Sequence, residues 1–348
     1  MLKKGGFNVR VAAFQRDYHQ GRMPDCEVKI LGKISHGKFL LRIFKIIYAL
    51  PILRAEIKDC KIIYASGSDM AYMAVIASFG LRKKIVLETG DIRKIQVKSG
   101  IKGFFIRKID AFFLSRCSLL IATAKGFVDE YYRKWLKTNV PSLILENKLE
   151  HNYFANTIKP NNNKITIGYF GLLRCHWSWQ VLKKLAQENS DKIEIIVAGY
   201  PINSIDLFTE SKEINSINYL GEYKSPEDLP SLYGKVDIVW ACYPFPKKTE
   251  WNWKWARTNR YYESLCYKKP MISLENSGDS ASVMKYNLGK IIPLEKNIEK
   301  VADILSNLNQ EEIRTWTENV FKLPENIYVY SKEHIELKNT LLEVLDNK

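Results

Sequence analysis

The sequence lacks the features that mark several common protein classes. After the first lysines, its longest stretch without a charged residue is about a dozen, Met70 to Leu81. A membrane-spanning helix needs about 18 or more apolar residues, so no span is expected. The start, MLKKGGFNVRVAAF, has no apolar signal region, which points away from secretion. The six cysteines (Cys26, Cys60, Cys117, Cys175, Cys242 and Cys266) are scattered and never fall at C-x-x-C spacing. That argues against a structural zinc site or a disulfide framework, and for free thiols in a reducing cytoplasm. The five histidines show no metal-ligand spacing, although His176 stands near a glycine motif, where an imidazole could touch a phosphate. There is no short repeat and no low-complexity tract. No basic run is interleaved with aromatics in an RNA-binding pattern, so nucleic acid is not an expected partner.

What is present is a globular chain of 348 residues, 46% apolar and 26% charged, long enough for two domains with separate cores. Its charge is uneven. Residues 1–150 hold 28 Lys and Arg against 13 Asp and Glu, a balance of +15, and residues 151–348 hold 25 of each. A basic first half suggests an anionic partner, such as a membrane surface or an acidic substrate.

Strand and helix patterns alternate twice. In the first half, strands are expected at Asn8–Phe14, Lys61–Ala65, Lys84–Leu87, Ser118–Ala122 and Ser142–Leu145. Helices are expected at Lys38–Leu50, Met70–Phe79, Ile101–Arg116 and Gly126–Trp135. Residues 155–163, ANTIKPNNN, break the pattern. The alternation restarts with strands at Ile165–Phe170, Ile193–Ala198, Ile217–Leu220, Asp237–Ala241 and Pro270–Leu274. Helical segments lie at Trp179–Glu188, Pro226–Tyr233, Asn259–Tyr267, Ile298–Leu308 and Glu311–Phe321, and a long helix spans Ser331–Leu345. The expected fold class is α/β, with two Rossmann-like, doubly wound parallel-sheet domains facing across a cleft. The expected boundaries are 1–155 for the first domain, 156–163 for a linker and 164–330 for the second. A C-terminal helix, 331–348, is expected to pack back on the first domain.

Four constellations can carry chemistry. The first, Gly168 to Arg174 (GYFGLLR), ends the first strand of the second domain, ahead of a helix. Gly171 lets backbone approach a ligand and Arg174 can grip a diphosphate, or the glycines serve packing alone. The second is Trp251 to Ser273, WNWKWARTNRYYESLCYKKPMIS. If Asn259 opens a helix, Arg260 and Glu263 share a face one turn apart, as a ribose and diphosphate grip or as a surface ion pair. Trp251, Trp253 and Trp255 stack on a ligand or anchor the loop. The third is Leu87 to Arg93, where Asp91 either serves an acceptor hydroxyl as general base or caps a turn. The fourth is the pair of basic, apolar helices at 38–50 and 101–116. They suit a membrane interface, or are apolar because their inner faces pack on a sheet.

These motifs, GYFG-x-x-R, IIVAGYP, YLGEY, DIVWACYP and NRYYESLCYKKPMIS, resemble in order those of GT-B glycosyltransferases. The resemblance is to the retaining family-4 type that builds bacterial surface polysaccharides. It covers most of 164–280 and, more weakly, 60–150. It implies a nucleotide-diphosphate sugar donor held by the second domain, an acceptor held by the first, and no obligatory metal or other cofactor. On this likeness Glu263 holds the donor ribose, Arg260 and Arg174 offset charge on the leaving diphosphate, and backbone near Gly221, Glu222 and Tyr223 reads the base. Gly171, Asn259 and Trp255 complete the donor-side set, and Asp91 faces the acceptor. The likeness breaks at two places. Members carry a second glutamate eight residues before the ribose-binding one, where this chain has Trp255. They also have a strand, loop and helix ahead of the one matching NVRVAAF, so the first domain is expected to lack its usual first strand.

The expected activity is therefore transfer of a sugar to a glycan or lipid-linked glycan in cell-surface polysaccharide biosynthesis. The protein is expected in the cytoplasm, peripheral on the inner face of the plasma membrane. The rival readings are a GT-B-shaped sugar-nucleotide epimerase and an inactive or non-enzymatic basic binding subunit.

Overall fold

The computed structural model describes residues 1–16, 23–34, 39–151, 163–202, 207–242, 244–245 and 251–346. The chain divides into two compact units, Met1–Glu146 with Ser331–Lys348, and Asn147–Tyr330. The division falls at 146/147, earlier than the 155/156 expected. The expected linker lies almost wholly outside the described residues.

The first unit opens with strands β1 (Arg10–Arg16) and β2 (Glu27–Ile34), paired in parallel as a two-stranded sheet. Helix α1 (Phe39–Glu56) leads to β3 (Ile62–Ser66), α2 (Ser68–Ala77), β4 (Lys84–Thr89), α3 (Lys94–Val97), α4 (Ile101–Leu114) and β5 (Leu119–Ala122). A π-helix, Phe127–Trp135, leads to β6 (Ser142–Ile144). Strands β3, β4, β5 and β6 form a parallel sheet in that order. The C-terminal helix, Glu333–Asp346, belongs to this unit. Its Leu337, Leu341 and Val344 pack on Val86, Leu119, Ile121 and Leu143 of the sheet.

The second unit runs β7 (Ile165–Leu173), α5 (His176–Glu188), β8 (Ile193–Pro201), α6 (Leu207–Lys212), β9 (Ile217–Tyr219), α7 (Leu229–Gly234) and β10 (Ile238–Trp240). It continues with α8 (Asn252–Trp255), α9 (Asn259–Cys266), β11 (Met271–Leu274), α10 (Ser280–Tyr286), β12 (Gly289–Ile292), α11 (Ile298–Ser306) and α12 (Gln310–Lys322). The C-terminal helix of the first unit is α13. The six strands are parallel in the order β12-β11-β10-β7-β8-β9. Both faces of this sheet are covered. One apolar cluster includes Ile167, Trp179, Leu182, Ile195, Trp240 and Leu305. The other includes Phe170, Ile196, Tyr233, Val239, Tyr261 and Leu265. Near-continuous apolar runs such as ITIGYF and IEIIVA are what a strand buried on both faces requires.

The chain order reverses direction in the sheet between β7 and β10. Strands β8 and β9 lie on one side of β7, and β10, β11 and β12 on the other. In open parallel sheets this switch point, at the carboxyl ends of the strands, is where ligands bind.

Several expectations need correction. The strand expected to stop at Phe170 does not, because β7 continues through Gly171 to Leu173. The reason is local: Gly171 has φ +107° and Gly199 of β8 has φ +137°, and a Cβ on Gly199 would collide with Gly171 O. The glycines let two nine-residue strands pass closely while staying paired. The first basic helix does not end at Leu50 but runs through Pro51 to Glu56. Strands β2 and β12 and helices α3, α6, α8 and α10 were not foreseen.

Candidate functional site

The site builds up from helix α9. Thr258 precedes it in extended backbone, and its hydroxyl accepts from Tyr261 N at 3.1 Å, a standard N-terminal cap. Asp279 holds the cap in turn. Its carboxylate accepts from Thr258 Oγ1 at 2.8 Å and from Thr258 N at 3.2 and 3.3 Å. Burial pushes the Asp279 carboxyl up to about 6, opposed by the Thr258 hydrogen bonds and by the charges of Arg257 and Arg260. The neighbouring Gly278 has no room for a side chain, since a Cβ there would collide with Ala256 O. Thus α9 starts at a fixed place and angle.

Arg260 and Glu263 project from this helix as the sequence foresaw, but they are not bonded to each other. The Arg260 guanidinium donates from Nη1 to Phe170 O at 2.8 Å and from Nη2 to Cys242 O at 3.3 Å. Phe170 lies near the end of β7, and Cys242 follows β10. Arg260 is therefore clamped across the switch point by the carbonyls of its two flanking strands. Its Nε is buried and makes no hydrogen bond. Glu263, half-buried, accepts from the Tyr233 hydroxyl at 2.7 Å. Burial raises its carboxyl above the usual range, against the lowering effect of Tyr233 and Arg260. Tyr233 is fully buried, edge-on to Phe170 and stacked on Tyr267.

Gly171 and Tyr223 close the group. A Cβ on Gly171 would stand 3.0 Å from Arg260 Nη1 and 3.9 Å from the Tyr223 hydroxyl. Burial, then the charge of Glu263, push the Tyr223 hydroxyl up to about 12. Gly171, Tyr223, Arg260 and Glu263, all singled out in the sequence, thus converge. Tyr233, Thr258, Asp279 and the two strand-end carbonyls were missed. Thr258 ahead of a helical pattern was the one legible signal among them, as a cap.

The other expected residues stand differently. Arg174 and Asn259 are exposed, at the end of β7 and at the start of α9. Glu222 is exposed beside Tyr219, whose hydroxyl it helps to raise. Trp255 is only 5% exposed and stacks on Trp251, with ring centroids 5.5 Å apart. Of the two roles open to it, that is the placement of an anchor. Asp91 is exposed in the other unit, after β4, where its carbonyl accepts from Thr89 Oγ1 at 3.2 Å. Among the described residues, no three His, Cys, Asp or Glu are grouped to hold a metal ion.

The fold is that of GT-B glycosyltransferases. Sucrose-phosphate synthase from Thermosynechococcus elongatus superposes with a TM-score of 0.74 over 100% of this chain and 91% of its own, at 11% identity. Anabaena HepE, solved in complex with UDP, matches with a TM-score of 0.64 over 92% of this chain and 86% of its own, at 15% identity. A Rickettsia africae glycosyltransferase gives the same score over 93% and 86%, at 15% identity. In sequence, the chain is 25% identical to the succinoglycan biosynthesis protein ExoL of Rhizobium meliloti (strain 1021) over 353 aligned positions, 96% of this chain and 86% of ExoL. No protein-family model matches the chain.

Proposed function

We propose that this protein is a glycosyltransferase of surface-polysaccharide biosynthesis, and that its second unit binds a uridine-diphosphate sugar at the β7/β10 switch point. The observation that carries the reading is the Arg260–Glu263 pair. A guanidinium clamped by two strand-end carbonyls sits beside a carboxylate held by a buried tyrosine, where a parallel sheet receives its ligand. The carboxylate takes the two ribose hydroxyls as donors, and the guanidinium, held at the strand ends, sets a fixed positive charge beside the diphosphate. Arg174 adds charge to the leaving diphosphate, a form of electrostatic stabilisation that fixed cations supply in group transfer. Tyr223 and the backbone at Gly221–Glu222 contact the base. Gly171 and Asn259 lie along the donor, and Trp255 shapes the sugar end as a loop anchor.

Support also comes from the solved relatives, HepE with UDP and HepE with UDP-glucose, and from the likeness to ExoL, named for succinoglycan biosynthesis. In the first unit Asp91 orients the acceptor, a glycan or lipid-linked glycan reached from the cytoplasmic face of the membrane. Transfer retains anomeric configuration and needs no metal. The test is to incubate the protein with UDP-sugars and a lipid-linked glycan extract, with and without chelator. UDP release with an axial-to-axial product by NMR is the expected result. No release with any donor, or release abolished by chelator, refutes the reading or its metal-free form respectively.

A further inference from the structure

Most of the large apolar residues of the second basic helix, α4, point outward, away from the sheet. Helix α4 buries Gly103, Asp110 and Leu114. On the opposite side it exposes Ile101, Phe104, Phe105, Ile109 and Phe112, by 42 to 76%. This reverses the pattern of a helix packed on a sheet, whose apolar stripe faces the core. Its roll is fixed from inside: Asp110, only 4% exposed, accepts from Gln96 Nε2 at 2.7 Å and from the hydroxyls of Tyr72 and Tyr131. Three donors on one buried carboxylate hold the polar residue in and the phenylalanines out.

The neighbouring helices continue the surface. Helices α1, α2 and α4 lie side by side in one layer. Helix α1 exposes Phe44 by 60% and Tyr48 by 80%, and Phe79, just after α2, is 83% exposed. Isolated apolar side chains on a surface need no explanation, but a contiguous aromatic layer marks a binding face. Charge identifies the occupant. The carboxylates of the three helices are all engaged within the unit: Glu56 by Lys29 at 3.8 Å, Asp69 by Arg93 at 2.5 Å, and Asp110 as described. On the outer side Lys108 lies over the Phe104 ring at 5.5 Å, and Arg116 over Phe112 at 3.7 Å. Aromatic rings with cations at their margins, and every described carboxylate of the three helices engaged inside the unit, match an anionic bilayer, with rings entering the acyl boundary and cations at the headgroups.

We infer that the outer face of α1, α2 and α4, led by Phe105 and Phe112, is a membrane-docking surface for anionic lipid, with α4 held in register by Asp110. This rests on the membrane-facing acceptor proposed above and adds the surface that reaches it. The test is flotation of the full chain with vesicles of phosphatidylglycerol and phosphatidylcholine, or of phosphatidylcholine alone. Wild type is expected to float with the anionic vesicles. Phe105→Ser/Phe112→Ser, at exposed positions, should lower the partition coefficient at least tenfold, and Lys108→Glu/Arg116→Glu should abolish the preference for anionic lipid. UDP binding by the same variants should stay at the wild-type level, which separates this surface from the donor site. Undiminished flotation of the phenylalanine variant overturns the inference. So does wild type that ignores vesicles at low salt, or that instead forms a dimer broken by these substitutions.

Discussion

Replacing Gly171 by alanine tests whether backbone shape and the arginine clamp form one device. Gly171 sits at φ +107°, where an L side chain is strained, at a cost of about 1–2 kcal/mol. The new Cβ would also stand 3.0 Å from Arg260 Nη1, the atom that donates to Phe170 O at 2.8 Å. If the guanidinium yields, a hydrogen bond from a charged donor is lost, about 1.5–3 kcal/mol. Together the two effects predict a loss of roughly 3–5 kcal/mol in unfolding free energy. They also predict UDP affinity weaker by about tenfold or more, since each 1.4 kcal/mol is tenfold. Denaturant unfolding and calorimetric titration with UDP read the two effects separately. A double-mutant cycle with Arg260→Ala isolates the contact. In the alanine-260 background Gly171→Ala should cost less, because only strain remains. Strict additivity of the two substitutions, with unchanged UDP affinity in Gly171→Ala, would refute the reasoning.

Two further predictions concern buried carboxylates. Asp279 has its folded pKa raised from 3.8 to about 6. The folded protein therefore keeps a proton that the unfolded chain has lost, and stability falls as pH rises through about 4 to 6. The shift corresponds to about 3 kcal/mol. Melting curves of Asp279→Asn across this window should show a shallower decline than wild type, and equal slopes would contradict the burial argument. Asp110, also raised to about 6, contributes a similar slope that survives in that variant. Asp110→Ala should lower the unfolding free energy by about 3 kcal/mol, because the Tyr72, Gln96 and Tyr131 donors lose their acceptor, whereas Asp110→Asn should cost less. Equal losses in urea unfolding would sink that account.

The alternation of strands and helices was legible because fully buried strands such as Ile165–Phe170 and Ile193–Ala198 read as apolar runs between helical patterns. What escaped notice did so for physical reasons. Strand β2, EVKILGKI, carries charges through its length, is largely exposed and, among the described residues, pairs with β1 alone, so it lacks the apolar signature of a central strand. The seven-residue α10 ends at Asn287 with φ 50°, too short for a helical period to show. The π-helix at Phe127–Trp135 has the composition of an ordinary amphipathic helix. In the site, Arg260 and Glu263 were readable as neighbours on one helix. Their partners were not, because Phe170, Tyr233 and Cys242 lie 18 to 90 residues away and meet them only through the sheet order. The outward phenylalanines of α4 show the same limit: the sequence marked the helix as apolar and basic, but which side faced the sheet depended on where Asp110 found its donors.

The most direct measurement is calorimetric titration of UDP into wild type and Glu263→Gln. Glutamine keeps an oxygen for the buried Tyr233 hydroxyl, so the fold and melting temperature should hold, while the charged acceptor for the ribose is gone. Loss of charge-assisted bonds of about 1.5–3 kcal/mol predicts UDP affinity weaker by roughly ten- to a hundredfold. A Glu263→Gln protein that melts like wild type and binds UDP equally well would contradict the placement of the donor site at α9.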